Sequence, residues 1–409
     1  MKILYISSVP SEKEFFALKD KVRKGVSTTA YGMEEAGIKF HTLIQQGLVA
    51  DNNTEVLSLV GRTVSFKTHK GLLLGIKKEK KGLIKYKHLA VLNLPVLKQI
   101  CLAISFFFNT LSWLLKNKNE DEKLILIDAA YVTVIPGVVL VAQILRCKKI
   151  GIFADIYEYM GDVVNDQTKR KTLAKIIRKL VSKSYANLDG FVVITEQANS
   201  VVNKKGKPYM VLEGLVDIKE IDFEESFSFQ EKSPRVIMYA GALREQYGLK
   251  ALVDGFIAVP GEDLRLEIYG DGDYVPEIIK AAQIDGRIKY LGRVDNKEVV
   301  EKERQATLLV NPRPVNEEFT LYSFPSKNME YMVSGTPVLT TRLPGMPKEY
   351  YNYVYTIDGE GTEAVTEALK KMLEKPQEEL FKKGEAARQF VLNKKNNVLQ
   401  AERIKRLLV

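Results

Sequence analysis

Residues 311–339 read NPRPVNEEFTLYSFPSKNMEYMVSGTPVL. The TLLV run just before them, residues 307–310, is the apolar end of a buried strand, and Pro312, Pro314 and Pro325 then break the segment into a loop. A helix opens at Ser326 and closes at Gly335. Met329, Met332 and Val333 recur at helical spacing, while Lys327 and Glu330 stand side by side three residues apart. Pro337 stops the helix and PVLTT begins another strand. A strand, a loop and a helix N-terminus carrying Ser326 and Lys327 make an anion site, because the first amides are unpaired and the helix dipole favours negative charge there. One turn further in, Glu330 is placed to accept hydrogen bonds from the vicinal hydroxyls of a sugar. The plainer reading of the same residues is that Ser326 caps the helix and Glu330 is a solvated first-turn carboxylate.

The run YSFPSKNMEYMVSGTPVL resembles the nucleotide-sugar signature of family 4 glycosyltransferases, retaining enzymes of GT-B architecture. The resemblance implies an α/β fold of two Rossmann-like domains with parallel sheets facing across a cleft. It implies that Glu330 holds the nucleotide ribose and that Phe324, Pro325, Ser326 and Lys327 line the donor. The family's small-Gly-x-Pro-Val run falls at Ser334, Gly335, Thr336, Pro337 and Val338. Family members usually carry another Glu eight residues upstream of the ribose carboxylate; here that position is Tyr322. In the SFPSK form the loop itself takes over the contact, through Glu317, Glu318 or loop amides, and the donor sugar stays open.

At 409 residues the chain has room for two or three domains, and 45% hydrophobic with 27% charged residues is an ordinary globular balance. Its two cysteines, Cys101 and Cys147, have neither metal-type spacing nor a disulfide framework, which points to a reducing cytoplasm. The start, MKILYI, enters a strand pattern without a cleavage site, so no signal peptide is expected. The net charge is +10 and lies mostly in the first half: from Arg62 to Lys118 the only acid is Glu79. A second basic run, Lys169 to Lys171 with Lys175, Arg178, Lys179 and Lys183, falls on a helix expected at 167–183. Such charge suits phosphorylated ligands or peripheral contact with an anionic membrane at its cytoplasmic face. No nucleic-acid partner is expected, because the aromatics are not interleaved with the lysines as stacking platforms.

The N-terminal half reads as a βαβ series: a strand at 2–7, a helix at 27–36 ending at Gly37, and a second strand at 38–43. Gly25 is the one residue answering to the glycine pair that the resemblance places beside the acceptor. Residues 92–115 are apolar enough to be mistaken for a membrane span, but Pro95, Lys98, Gln99 and Asn109 interrupt them. Leu97, Ile100, Cys101, Ile104, Phe108, Leu111 and Leu115 form a helical stripe, with Leu102, Phe106, Phe107, Trp113 and Leu114 off it. A helix apolar on nearly all sides is buried or rests against lipid; the common packing of helix on sheet favours the core. Strands follow at 124–128, 149–154 and 190–194. Asp155 lies just beyond the carboxyl end of the second of these, where open α/β sheets bind ligands. The resemblance makes it an acceptor-side and catalytic residue; a turn-capping Asp is the plain alternative. The resemblance bounds the acceptor domain at 1–217, completed by a C-terminal helix at about 392–409, with a linker at 218–234.

A second series runs through 235–391, the expected nucleotide-sugar domain. Its first loop, after VIMYAG, should carry an Arg after Gly241 and a Lys before Gly248; Ala242 and Tyr247 occupy those places. Arg244 is the nearest substitute, with Arg313 and Lys327 as further cations for the leaving diphosphate. Gly270 and Gly272 follow the LRLEIY strand, and the backbone near Arg293 and Val294 corresponds to the family's base-reading turn. The three histidines, His41, His69 and His88, form no constellation in the sequence and read as structural or surface residues. The resemblance implies a front-face displacement that needs cations and helix amides rather than a protein base, with no cofactor and no bound metal. The sequence therefore reads as a retaining hexosyltransferase using a nucleotide-sugar, UDP-linked, with a glycan or lipid-linked acceptor. The missing Glu and missing loop cations motivate the other reading, a non-catalytic GT-B subunit that stabilises a partner transferase.

Overall fold

The computed structural model describes residues 1–19, 29–62, 64, 69, 71–154, 171–221 and 229–408, in two compact units, Met1–Glu213 with Asn397–Val409, and Gly214–Asn396. Gly25 and Asp155 lie outside the described residues.

The first unit comprises β1 (Lys2–Ser7), α1 (Glu12–Lys19), α2 (Thr29–Leu48), β2 (Glu55–Val60), β3 (Leu73–Leu74), β4 (Lys77–Lys81), β5 (Ile84–His88) and β6 (Val91–Leu92). It continues through α3 (Pro95–Lys116), β7 (Lys123–Asp128), α4 (Ile135–Ile144), β8 (Lys148–Phe153), α5 (Lys171–Tyr185), β9 (Gly190–Val193), α6 (Glu196–Val202) and β10 (Tyr209–Val211). Eight strands form one sheet in the order β10-β9-β8-β7-β1-β2-β5-β4, parallel except where β4 runs antiparallel to β5. β1 and β7 are neighbours of widely separated sequence and mark the point where the strand order reverses, the usual place for a ligand in an open α/β sheet. KILYIS and LILID are nearly all buried, as strands covered on both faces require.

Two sequence readings of this unit are corrected. Residues 38–43 are not a strand; they continue α2 past Gly37 to Leu48. Ile38, His41, Ile44, Gln45 and Leu48 are buried at helical intervals, and a short apolar run cannot by itself separate helix from strand. The true second strand is β2. The other correction is α3, whose inner face is Leu102, Phe106, Thr110, Trp113 and Leu114, whereas the stripe through Ile100, Ile104 and Phe108 is exposed.

The second unit comprises β11 (Arg235–Ala242), α7 (Leu249–Ile257), β12 (Leu264–Asp271), α8 (Val275–Ile284), β13 (Ile288–Gly292), α9 (Asn296–Gln305) and β14 (Leu308–Asn311). Then come α10 (Ser326–Ser334), β15 (Val338–Thr341), β16 (Tyr355–Ile357), α11 (Gly361–Leu373) and α12 (Gln377–Lys394). Its six strands are all parallel in the order β13-β12-β11-β14-β15-β16, again reversing at a central pair, β11 and β14. Leu252 and Phe256 of α7, Ile278 of α8 and Leu369 of α11 close a core over Ile237, Leu266 and Ile268 of the sheet. The last helix, α13 (Asn397–Arg406), belongs to the first unit. It packs on α2 so closely that a Cβ at Gly47 would lie 2.1 Å from the Asn397 carbonyl oxygen, and Lys405 pairs with Asp51 at 2.9 Å.

Candidate active site

In the second unit the carboxyl ends of β11, β14 and β15 converge beneath the first turn of α10. Asn328, fully buried, sits at the centre of the joint. Its side-chain oxygen accepts from the Asn311 amide at 2.7 Å, and its amide donates to the Thr340 hydroxyl at 3.4 Å. That hydroxyl donates in turn to the Asn311 carbonyl at 3.1 Å. One turn on, the buried Tyr331 hydroxyl accepts from the Ala240 amide at 2.8 Å and donates to its carbonyl at 3.1 Å. The helix is thereby pinned to three strand ends by groups that lack water as an alternative partner. Asn328, Tyr331, Asn311 and Thr340 were not singled out in the sequence. The available signal was an Asn inside the first turn of a helix, a position where its side chain ordinarily faces solvent.

This pinning sets what α10 presents. Its N-cap is Pro325, whose side chain caps nothing, so Ser326 is the first helical residue rather than the cap. The Ser326 hydroxyl is exposed and makes no hydrogen bond among the described residues. Lys327 lies with its Cε 3.6 Å from where a Cβ of Gly241 would be, and the Tyr239 hydroxyl is 3.3 Å from the same point. Gly241 therefore leaves the end of β11 open to Lys327. The Lys327 ammonium is 2.8 Å from a Glu330 carboxylate oxygen, and both side chains are partly exposed, at 34% and 25%. Burial pushes the Lys327 ammonium down, but the carboxylates of Glu330 and the buried Glu303 outweigh it and hold the group above its ordinary value. It is a cation throughout the neutral range.

Arg313, one of the cations expected for the diphosphate, comes to the loop after β11 by a contact that the sequence did not reveal. Tyr247 stands where the resemblance expects a lysine, and the Arg313 guanidinium lies over its ring, 4.6 Å from the centroid, with the Phe319 ring at 5.6 Å. No hydrogen bond or ion pair spends the guanidinium donors of Arg313 among the described residues. Its charge reaches Tyr239, where it opposes the burial that raises that phenol. Arg244, half-buried, begins the turn at Glu245–Tyr247 and is likewise without a side-chain partner among the described residues. Lys327 thus lies against Gly241 at the end of β11, and Arg244 and Arg313 lie at the loop that follows it.

The remaining expected donor residues divide by what they touch. Gly270 has φ +133° and a Cβ there would lie 1.8 Å from the Gly241 carbonyl oxygen; at Gly272 the clash would be 2.2 Å with the Leu243 carbonyl. Both glycines let the ends of β11 and β12 close on each other, which is sufficient reason for them. Phe324 is buried against the Tyr350 ring, 5.2 Å between centroids, and anchors the loop from the inside. Arg293 is exposed and Val294 half-buried just past β13, beyond Gly292 at φ +71°.

The first unit holds a buried polar cluster at its own strand reversal. Asp128, at the end of β7, accepts from the Ser8 amide at 3.3 Å, the Ser8 hydroxyl at 3.1 Å and the Ser7 hydroxyl at 3.4 Å. His41 Nε2 is 3.8 Å from the same carboxylate, and its Nδ1 shares a 2.6 Å hydrogen bond with the Tyr5 hydroxyl. Burial holds the His41 imidazole below its ordinary value, against the pull of Asp128. His41 is buried as part of this cluster, and the pattern that would have revealed it, Ser-Ser and Asp at the ends of adjacent parallel strands, requires knowing the strand order.

Two α/β units, each built on a mainly parallel sheet, define the GT-B fold of solved glycosyltransferases. Residues 234–375 match the family model described as glycosyl transferases group 1. No curated protein matches the sequence. Among solved structures, the chain is similar to a sucrose-phosphate synthase from Thermosynechococcus elongatus, at TM-score 0.61 and 13% identity over 100% of this chain and 99% of that one. It is similar to the lipopolysaccharide outer core galactosyltransferase WaaB in its apo form, at TM-score 0.60 and 16% identity over 100% and 99%. It is also similar to HepE of Anabaena in complex with UDP and glucose, at TM-score 0.59 and 12% identity over 100% and 99%.

Proposed function

We propose that the protein is a retaining glycosyltransferase that moves a sugar from a UDP-sugar to a glycan or lipid-linked acceptor. The observation that carries this reading is the arrangement at the end of β11: an uncapped helix N-terminus with Lys327 against Gly241, and Arg313 carried over Tyr247 in the loop that follows. A departing nucleoside diphosphate carries its charge away from the sugar, and fixed cations with helix amides in place before reaction stabilise that charge without reorganisation. Glu330, held by Lys327 one turn into α10, is the group for the ribose hydroxyls. A UDP donor is supported by the fold shared with HepE, which was solved with UDP-glucose. The basic first half supports an acceptor bearing phosphate, presented at the cytoplasmic face of a membrane. On the acceptor side we assign Asp155, with Gly25, from their positions in the sequence alone.

The test is a thermal-shift panel of UDP-, GDP- and ADP-sugars on the full chain, because a ligand that binds the folded state alone raises its melting point. UDP-sugars are expected to raise it and to be consumed on addition of acceptor. Binding without turnover would favour the second reading, a GT-B subunit that supports a partner transferase, which Tyr322 in place of the usual carboxylate motivates. No shift with any nucleotide would remove both.

A further inference from the structure

Helix α3 has two apolar faces, and the first unit uses only one. Leu102, Phe106, Trp113 and Leu114 are packed inside, while Leu97, Ile100, Ile104, Phe108 and Leu115 on the opposite side, together with Val96 in the first turn, are each 48–67% exposed. At 100° per residue these six, apart from Val96, fall within about 60° of one line along a helix roughly 33 Å long. The strip does not end at the edge of α3. Beside it lies α4, whose Gly137 abuts the Phe107 ring and whose Leu140 and Ile144 are 51% and 66% exposed. A surface of that extent is beyond what scattered surface apolars account for.

The other flank is cationic. Antiparallel pairing of β4 and β5 sets Lys78 directly opposite Lys87 and Lys80 opposite Lys85, two like-charge pairs that weaken the ladder they sit on. Lys87 donates to the side chain of Asn109 on α3, which fixes this lysine face beside the helix. Lys116 of α3 is near enough, with Lys78, to push the Lys87 ammonium further down after burial has lowered it. Lys78, Lys80 and Lys116 have no ion-pair partner among the described residues, and Lys85 pairs with Glu55 at 3.1 Å. Glu79 pairs across with Tyr86 and so points to the opposite face of the hairpin.

We propose that this face of α3 and α4, edged by the lysines of β4, β5 and Lys116, docks the protein on an anionic lipid bilayer, with α3 lying in the plane of the interface. The occupant follows from the charge. A second copy of the chain would set lysines against lysines, and an uncharged apolar partner would leave the opposed lysine pairs a cost without return. A surface of anionic headgroups over acyl chains satisfies both halves, with the lysine stems lying along the apolar strip and the ammonium groups at the phosphates. By length and composition α3 could cross a bilayer, but its packed inner face keeps it on the unit's surface. The proposal does not depend on the transferase reading.

The purified full chain is sedimented with vesicles of phosphatidylcholine alone and of phosphatidylcholine mixed with phosphatidylglycerol, at low and high salt. Binding to the mixed vesicles that weakens with salt is expected, and little to the neutral ones. Ile104→Ser with Phe108→Ser should lower partitioning at least about tenfold, from the lost apolar insertion. Lys78→Ser and Lys80→Ser should each lower it about fivefold. All four side chains are exposed, so melting temperatures should match the parent. A parent that ignores both vesicle types, or stripe variants that melt and bind like it, would overturn the proposal. So would a stable dimer in solution that the stripe substitutions dissociate.

Discussion

Lys327→Met is the perturbation that tests the site most directly, because Met keeps a stem over Gly241 while removing the charge. A phosphate drawn to about 4 Å from the ammonium interacts by about 4 kcal/mol at an effective dielectric constant of about 20. The side chain is 34% exposed, and water and salt there reduce the net value to the range of a charge-assisted hydrogen bond, about 1.5–3 kcal/mol. That corresponds to roughly 10- to 100-fold in the Kd for UDP. The assay is calorimetric titration with UDP and, separately, with uridine. Uridine lacks the diphosphate, so its affinity should change by no more than about twofold in Lys327→Met. Glu330→Gln should weaken both ligands, at least about tenfold in turnover with the full donor, if its carboxylate holds the ribose. Equal affinity for UDP in Lys327→Met and parent, with the melting point preserved, would refute the reasoning. An equal loss for uridine would show instead that Lys327 merely holds Glu330 in place.

Asn328→Leu removes the link between Asn311 and Thr340 and should cost about 2–3 kcal/mol in chemical denaturation, with UDP affinity falling because α10 is no longer fixed. Gly270→Ala places a Cβ 1.8 Å from the Gly241 carbonyl at φ +133° and should destabilise by about 3 kcal/mol or more, measured the same way. Asp51 tests the docking of α13 through pH. Burial raises its carboxyl, but Lys405, the Thr54 hydroxyl and the Asn53 amide outweigh that and bring it to about 2. A folded value below the free one of about 3.9 stabilises the protein above that pH and loses its effect as pH falls towards about 2. Its side chain is 37% exposed, so the effect is discounted to about 1 kcal/mol. Asp51→Asn should therefore melt lower than the parent at neutral pH, and the gap should close in acid.

Much of the second unit was legible because β11 to β14 are apolar or alternating runs that end at or within a residue of a glycine or proline. VIMYAG lies within β11, LRLEIY within β12, and the helix opening at Ser326 is α10. The first unit was less so. KKEKK and IKYKH became β4 and β5 although lysine is a poor strand former, because Ile84, Tyr86 and His88 bury the inner side of the hairpin. The run GIKFHTLIQQGL looked like a strand at its apolar start, yet its buried positions repeat with helical period out to Leu48. For the site, Lys327 and Glu330 could be read as neighbours from their spacing alone. That Arg313 comes to the loop after β11 could not be, because it is carried there by the ring of Tyr247, a residue 66 positions earlier whose identity had suggested a missing cation.

The reading of α3 failed for a different reason, and the reason bears on what the helix does. A helix apolar all round offers two stripes of similar strength, and burial of either satisfies the hydrophobic pattern; local sequence cannot choose between them. The choice falls to size and shape. The sheet side takes Phe106, fully buried, with its ring 5.7 Å from Tyr131 and perpendicular to it, together with Trp113 and Leu114. The stripe of Ile100, Ile104 and Phe108 is left outside. Leaving six large apolar side chains in water lowers solubility unless something covers them, and a few of these exchanged for Ser or Lys would leave the packing of the unit untouched. Their presence beside two opposed lysine pairs combines two separately unfavourable features in one place. A single anionic, partly apolar surface would relieve both at once, which is why the charge and the exposed helix are better explained together than apart.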